Sequence, residues 1–421
     1  MKTNQKFSGY MVAIGLAIVV FCTQGALGTF GVFLPYIVES EGWSVSAVSF
    51  MATCCSTVVF VMNTLMYKAI SKMGAKKVLL LGVFCCGLHY CLYGLSRSIL
   101  MLYLAACIGG VAMGFATNAM LSFILTRWFV DKRERVISLA MIPIGFGGAV
   151  FAFISGQAIE LFNSWRTAYF VVAALLWVIA IPVTLIMVKE SPASVGQLPL
   201  GASEQIEDKM PAKKVKLTSL PEFRTPAFWM MWVGLFCCGF VSPGFSQHFT
   251  SILRAGGCEA AAASNYLSIA KAFTAVGFLL LGAISGKRGT GTTKLVVTII
   301  TLINVLAAAS LYVIDCAPAA GLVAWILFAS VCYGIGQTSY HIISTYTVMD
   351  AYGAVRYPVL YGVFQGASMF AGAFGSLLMG AFKDWNGDYR VGLIVFAGIA
   401  IVGMLLVFCA MAKAKQTEVK A

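Results

Sequence analysis

One cation lies deep in an otherwise apolar stretch. Lys271 stands about eleven residues into the run 260–285 and about fifteen before the basic loop that follows. A cation at such depth costs a few kcal/mol to insert, and such residues face an aqueous cavity or a partner. No Asp or Glu lies deep in any apolar run to pair with it. Glu160 sits near the end of one run, and the others fall in loops, tails or helix ends. An unpaired buried cation is suited to an anionic ligand. Lysine supplies a point charge on a flexible stem, so one carboxylate oxygen suffices. The structural alternative is a neutral lysine, or one that snorkels outward.

Other polar groups sit at helical spacing with it. Ser264, Ser268, Lys271, Ala275 and Gly282 share one stripe. Tyr333, Gln337, Tyr340, His341 and Ser344 form another. Gln24 and Asn118 are polar positions in two earlier runs, and Asn63, Asn304 and Gln365 are further ones. Hydrogen bonds between packed helices account for many such residues. Their clustering points instead to a substrate site formed by Lys271, His248, His341, Gln24, Asn118, Tyr333, Gln337, Tyr340 and Ser268. Histidine titrates near neutral pH, so His248 and His341 are candidate carriers of a coupling proton; His89 is the third histidine.

The elements that must position these residues are membrane spans. The chain has 421 residues, 60% apolar and only 11% charged. A soluble chain carries about a quarter charged residues. Twelve runs are long enough to cross a bilayer: 9–37, 46–70, 78–96, 99–126, 136–162, 167–188, 227–253, 260–285, 294–314, 320–348, 358–382 and 391–413. We number them spans 1 to 12. The fold class is therefore all-α, with spans 1–6 (residues 1–188) and 7–12 (residues 227–421) as two six-helix bundles joined by a cytoplasmic linker, 189–226. Residues 189–216 read as mostly disordered.

The two halves are alike. At an offset of 215, Phe21, Cys22, Phe30, Ile37, Gly42, Ser49, Lys72 and Gly74 recur as Phe236, Cys237, Phe245, Ile252, Gly257, Ser264, Lys287 and Gly289. At an offset of 224, Phe146, Gly148, Ala149, Gly156 and Arg166 recur as Phe370, Gly372, Ala373, Gly380 and Arg390. Two like halves in a membrane chain suggest a transporter with its site where the halves meet. The offset implies a pseudo-two-fold axis along the membrane normal. Spans 1 and 7 both carry breakers: Gly25, Gly28, Gly31 and Pro35, then Gly239, Pro243 and Gly244. Interrupted helices in matching positions point to the substrate site. Small-residue pairs such as Gly110 and Gly114 allow close helix approach.

The net charge of +13 reflects topology and calls for no nucleic acid. Of 29 Lys and Arg, 23 lie in the termini or even-numbered loops, five in the odd-numbered loops, and the last is Lys271. Both termini are therefore expected in the cytoplasm. The N-terminal run is too long for a signal peptide and reads as span 1. The thirteen cysteines lie mostly in apolar runs, as small hydrophobes, and adjacent pairs such as Cys54 and Cys55 point about 100° apart. No metal or cofactor is expected. Cys258 and Cys316 both fall in outer loops, where a disulfide is open to them.

With these residues in place, the chain resembles the major facilitator superfamily. That family's loop signature, Gly-x-x-x-Asp-Arg-x-Gly-x-Arg-Lys, follows the second span of each half. Here it survives as Ser71-Lys72-Met73-Gly74-Ala75-Lys76-Lys77 and as Gly282 to Gly289, with Ser71 and Gly286 where the Asp usually stands. The resemblance implies conformational gating by Lys72, Gly74, Lys76, Lys77, Lys287, Arg288 and Gly289, together with Arg127 and Arg133 after span 4. Within the superfamily the chain looks like the monocarboxylate and oxalate:formate antiporter branch. Gly31-Val32-Phe33-Leu34-Pro35, Arg127-Trp128-Phe129-Val130-Asp131-Lys132-Arg133, Phe223-Arg224-Thr225-Pro226-Ala227-Phe228-Trp229 and Tyr361-Gly362-Val363-Phe364 carry that likeness. The branch's usual span 8 Arg is Phe278 here, and the span 11 Lys of oxalate transporters falls at Ser368. Oxalate itself is therefore not the expected substrate.

The expected function is secondary transport of a small organic anion, with a carboxylate as the foremost candidate. No Walker-type loop appears, so ATP is not expected to drive it. Antiport and proton-coupled transport both remain open, as do direction and substrate identity. The expected partners are the anion, protons and the bilayer, the protein is expected to be monomeric, and its location is the cytoplasmic membrane. One alternative is an exporter of hydrophobic or neutral compounds; export of cations would call for a deep carboxylate. An alternative of another class is a membrane sensor without transport. An enzyme would need a convergent acid, metal or nucleophile set, which the scattered histidines do not make.

Overall fold

A computed structural model describes residues 2–116, 118–129, 133–201, 221–284, 290–316 and 322–419. Its helices are α1 (Lys2–Leu27), α2 (Phe30–Glu41), α3 (Val45–Met73), α4 (Ala75–Leu95), α5 (Ile99–Phe115), α6 (Asn118–Trp128), α7 (Arg133–Met141), α8 (Pro143–Phe162), α9 (Trp165–Met187), α10 (Pro226–Ala255), α11 (Ala260–Ile284), α12 (Thr290–Cys316), α13 (Leu322–Gly336), α14 (Ser339–Asn386) and α15 (Arg390–Val419). Helices dominate because in hydrocarbon each backbone N–H and C=O must be satisfied within its own segment. Among the described residues nine apolar helical stretches are long enough to cross a bilayer, and they match spans 1–7, 9 and 12. Span 8 is α11, and α13 with α14 make spans 10 and 11.

Three expectations need correction. Span 7 is not interrupted: α10 runs unbroken through Pro243. Gly372 of α14 leaves room for the Pro243 ring, and neighbouring helices make a proline tolerable inside a span. Span 1 is interrupted as expected, at Gly28 and Thr29, and further helix ends fall inside span 4, between Phe115 and Asn118, span 5, between Met141 and Pro143, and span 10, between Gly336 and Ser339. The connector expected between spans 10 and 11 is helical and lies inside α14. Finally, the first part of the linker is ordered. Trp128 Nε1 donates to the Lys189 carbonyl at 3.0 Å, and the Leu200 N–H donates to the Trp128 carbonyl at 2.8 Å. Residues 202–220 lie outside the described residues.

The chain divides into two compact units. The first comprises Met1–Thr29 and Thr57–Lys213. Close approaches at glycine hold it together: Gly25 meets Gly147 across α1 and α8, and Gly87 lies under the Trp177 indole. Trp177 Nε1 donates to the Phe84 carbonyl at 3.0 Å. His89 is buried here among Tyr90, Tyr93 and Gly109, which makes it a core residue.

The second unit comprises Phe30–Ser56 and Lys214–Ala421. The far end of span 1 and the start of span 2 therefore pack with α10 and its neighbours. Gly239 and Gly375 bring α10 and α14 into backbone contact, and Phe228, Met231, Leu235, Val297, Phe364 and Val407 fill part of the core.

Candidate functional site

Lys271 is buried, with 9% of its surface exposed. Its Nζ donates to Ser246 Oγ on α10 at 3.0 Å and to Tyr333 OH on α13 at 3.4 Å. It also stands 5.7 Å from the centre of the Tyr333 ring, which stacks on Phe249 at 4.7 Å. The local sequence makes this meeting possible. Gly334 lets α13 approach until a side chain there would overlap the Ala270 carbonyl, so Tyr333 and Lys271 are brought level. Every polar partner of the ammonium among the described residues is neutral. The arrangement presents one positive charge, two hydroxyls and an aromatic wall.

Of the residues singled out in the sequence, Lys271 and Tyr333 come together. Gln337, one turn further on, donates through Nε2 to the Ser242 carbonyl of α10 at 2.9 Å. Ser268 bonds back to the Ser264 carbonyl of its own helix at 3.0 Å. Sequence reasoning missed Ser246 and Phe249. Ser246 was findable as a hydroxyl in an apolar span and the repeat counterpart of Gly31.

His248 occupies a different neighbourhood. It lies two positions on from Ser246, about 200° round the helix, so the two face opposite ways. His248 Nε2 donates to the Ser376 carbonyl of α14 at 2.9 Å and lies 3.3 Å from Ser49 Oγ of α3. That geometry assigns the proton to Nε2, and buried Nδ1 has no hydrogen-bond partner among the described residues.

Gln24 belongs to the first unit. With Thr23 it donates to the Ala116 carbonyl, each at 3.4 Å, at the end of α5. The side chains of Asn118, Arg133, Tyr340 and His341, and the whole of Lys287, Arg288 and Gly289, lie outside what the structure describes. The same holds for the Cys316 side chain.

The first basic loop is fully described. Gly74 has φ 86°, a left-handed conformation suited to glycine, and it precedes α4. Lys72 and Lys77 are exposed, whereas Lys76 donates through Nζ to the Leu185 carbonyl at 2.7 Å. The Lys76 N–H donates to Glu190 Oε1 at 3.0 Å. A carboxylate at a helix N-terminus satisfies an orphan donor and suits the helix dipole. Glu190, from the linker, thus caps the start of α4, while the Ser71 hydroxyl donates to the Lys68 carbonyl of its own helix. Arg127 is exposed and stacks 4.3 Å over Phe123.

The two positions where cations would be expected from the family likeness are apolar or closely packed here. Phe278 lies against the core around Phe228 and Leu235. Ser368 is buried, donates to the Leu235 carbonyl at 3.0 Å, and its backbone abuts Gly239. Ser368→Lys should therefore cost about 3 kcal/mol or more and lower the yield of folded protein. Size-exclusion chromatography checks this; a monodisperse variant at parental yield would refute it.

The sequence profile of the Major Facilitator Superfamily matches residues 16–352. The chain belongs to that superfamily. It is 22% identical over 349 residues to an uncharacterised MFS-type transporter, YhjX, of Escherichia coli (strain K12), covering 80% of this chain and 79% of that protein. It is 26% identical over 207 residues to the phosphoglycerate transporter protein of Salmonella typhimurium (strain LT2), covering 48% and 43%. In fold it is similar to the nucleoside transporter NupG, with a TM-score of 0.73 at 15% identity, covering 95% of this chain and 98% of that one. A bacterial homolog of the human lysosomal transporter Spinster, inward-facing and unoccupied, gives a TM-score of 0.71 at 17% identity, covering 97% and 98%. The protein is thus an all-α, multi-pass membrane protein of a transporter superfamily, with twelve spans in two six-helix bundles.

Proposed function

We propose that the protein is a secondary transporter of a small organic anion, with a carboxylate as the foremost candidate and Lys271 as the receptor for the negative charge. The observation that carries this reading is the buried ammonium with only hydroxyl and aromatic partners among the described residues. A bound carboxylate would supply the counter-charge, and the Ser246 and Tyr333 hydroxyls would donate to its oxygens. The relative named for phosphoglycerate, itself an anion, agrees with this class. The likeness to NupG concerns the fold and does not favour a nucleoside.

Transport would proceed by alternating access between the two halves, as antiport or with protons. We further propose the cytoplasmic membrane as the location, with both termini and the 189–226 linker on the cytoplasmic side, because basic residues concentrate in those segments. Labelling of Gln205→Cys in a cysteine-free background tests the topology. Impermeant reagent should leave it untouched in intact cells, and modification from outside would invert the assignment.

Binding is tested by thermal shift of the purified protein against short mono- and dicarboxylates, 3-phosphoglycerate and a nucleoside. Stabilisation by an anion and not by the nucleoside is expected, growing with the logarithm of ligand concentration. Stabilisation by the nucleoside alone would overturn the anion reading.

A further inference from the structure

We propose that Glu39, Arg254 and Asp384 are gating residues. They fasten the hairpin Phe30–Ser56 to α10 and α14, and their release is a step of the transport cycle. The proposal rests on the chain's place in a transporter superfamily and not on the nature of the substrate.

The hairpin is α2 and the first part of α3, joined at Gly42. It packs within the second unit although it follows α1 of the first. Between them the helix stops: Gly28 and Thr29 close turns onto the Gly25 and Ala26 carbonyls before α2 begins at Phe30. The break falls at the boundary between the units, where a hinge would have to be.

The fastenings are polar. Arg254 Nη2 donates to both carboxylate oxygens of Glu39, at 2.7 and 2.9 Å, and the guanidinium lies 4.9 Å over the Tyr36 ring. Both carboxylate oxygens of Asp384, near the end of α14, accept from the first turn of α3, from Val45 N at 3.1 Å and Ser46 N at 2.8 Å. Deeper in, Ser49 meets His248, and the Thr250 hydroxyl donates to the Gly31 carbonyl.

Two features mark this as a reversible closure. Glu39 and Arg254 stand 215 residues apart, the offset of the internal repeat. Equivalent positions of the two halves have thus taken opposite charges and pair with each other. Their helices also end alike, with Gly42 and Gly257 both at positive φ. The pair is partly hydrated, with 20% of the Arg254 side chain and 60% of the Glu39 side chain exposed. A cavity of about 480 Å³, lined by Glu39, Arg254, Val45 and Lys383, lies beside it. Water or ions can therefore replace each partner, and such a pair opens at little cost.

The test uses the full-length protein in intact cells. Ser49→Cys, in an otherwise cysteine-free background, reports on the hairpin, because Ser49 is fully buried on the hairpin face that meets His248 of α10. Glu39→Arg and Arg254→Glu should each raise its labelling rate about five- to tenfold, the effect of losing a partly exposed ion pair and adding like-charge repulsion. The double swap Glu39→Arg with Arg254→Glu should return labelling toward the parental rate. Asp384→Asn, a milder change, should raise it as well. In transport, each single reversal should change the maximal rate more than the half-saturation concentration, with recovery in the swap. Unchanged labelling in folded single variants and in Asp384→Asn would overturn the proposal, as would a double swap that labels like the singles. Acceleration seen with membrane-permeant reagent alone would support the latch while placing it on the cytoplasmic face. Anion binding measured on the same variants stands apart from either result.

Discussion

Lys271→Gln and Lys271→Met should abolish anion uptake and leave the fold as stable as the parent, or more so. The two effects can be weighed separately. Replacement removes charge-assisted hydrogen bonds to Ser246 Oγ and Tyr333 OH, worth about 1.5 kcal/mol each at these lengths. It also relieves the insertion cost of a buried cation, a few kcal/mol. Methionine retains most of the apolar stem that fills this site. The balance therefore favours unchanged or higher thermal stability. Transport should move the other way. Losing an ion–ligand contact in a desolvated site should weaken anion binding about a hundredfold or more. Lys271→Arg keeps the charge but places a wider, planar head beside Tyr333, so part of the uptake should survive. Uptake by Lys271→Gln at the parental rate and half-saturation would sink the anion assignment. A strongly destabilised Lys271→Met would instead point to a structural lysine.

The sequence carried the spans well because hydrophobic run length is a direct physical requirement of the bilayer. It also indicated which helix faces are polar, and Lys271 and Tyr333 both stand out on that ground alone. What it could not show was the direction of a side chain at a crossing. Ser246 and His248 are both polar residues of span 7, yet one meets Lys271 and the other meets Ser376, because α11 and α14 lie on different sides of α10. Breakers were a partial guide to breaks, right in span 1 and wrong in span 7. Pro243 lies in an unbroken helix because Gly372 accommodates its ring, whereas Gly28 ends α1. Long-range partners were invisible too: Glu190 reaches the N–H of Lys76 from 114 positions away, and no local pattern announces that.

Substituting the glycines at the helix crossings should produce the largest loss of folded protein. At Gly147, a side-chain carbon would overlap the Phe21 carbonyl of α1; at Gly375, it would overlap the Phe240 carbonyl of α10. In both cases the obstruction is backbone and cannot rotate aside. The helices would have to separate, and their contact is what holds each unit together, since van der Waals packing drives helix association where lipid is as apolar as the side chains. Overpacking of a close-packed interior costs about 1–3 kcal/mol where neighbours can adjust, and more where backbone must move. Gly147→Val and Gly375→Val should therefore lower the melting temperature of the detergent-solubilised protein by several degrees at least, or prevent its recovery. Gly398→Ala is the matched control. No atom of a neighbouring helix lies within 4 Å of where its side-chain carbon would stand, so packing predicts no loss. Alanine also favours the helix there by up to about 1 kcal/mol over glycine. If Gly375→Val melts with the parent, α10 and α14 do not cross where the structure has them, and the placement of Ser368 and His248 would fall with that crossing.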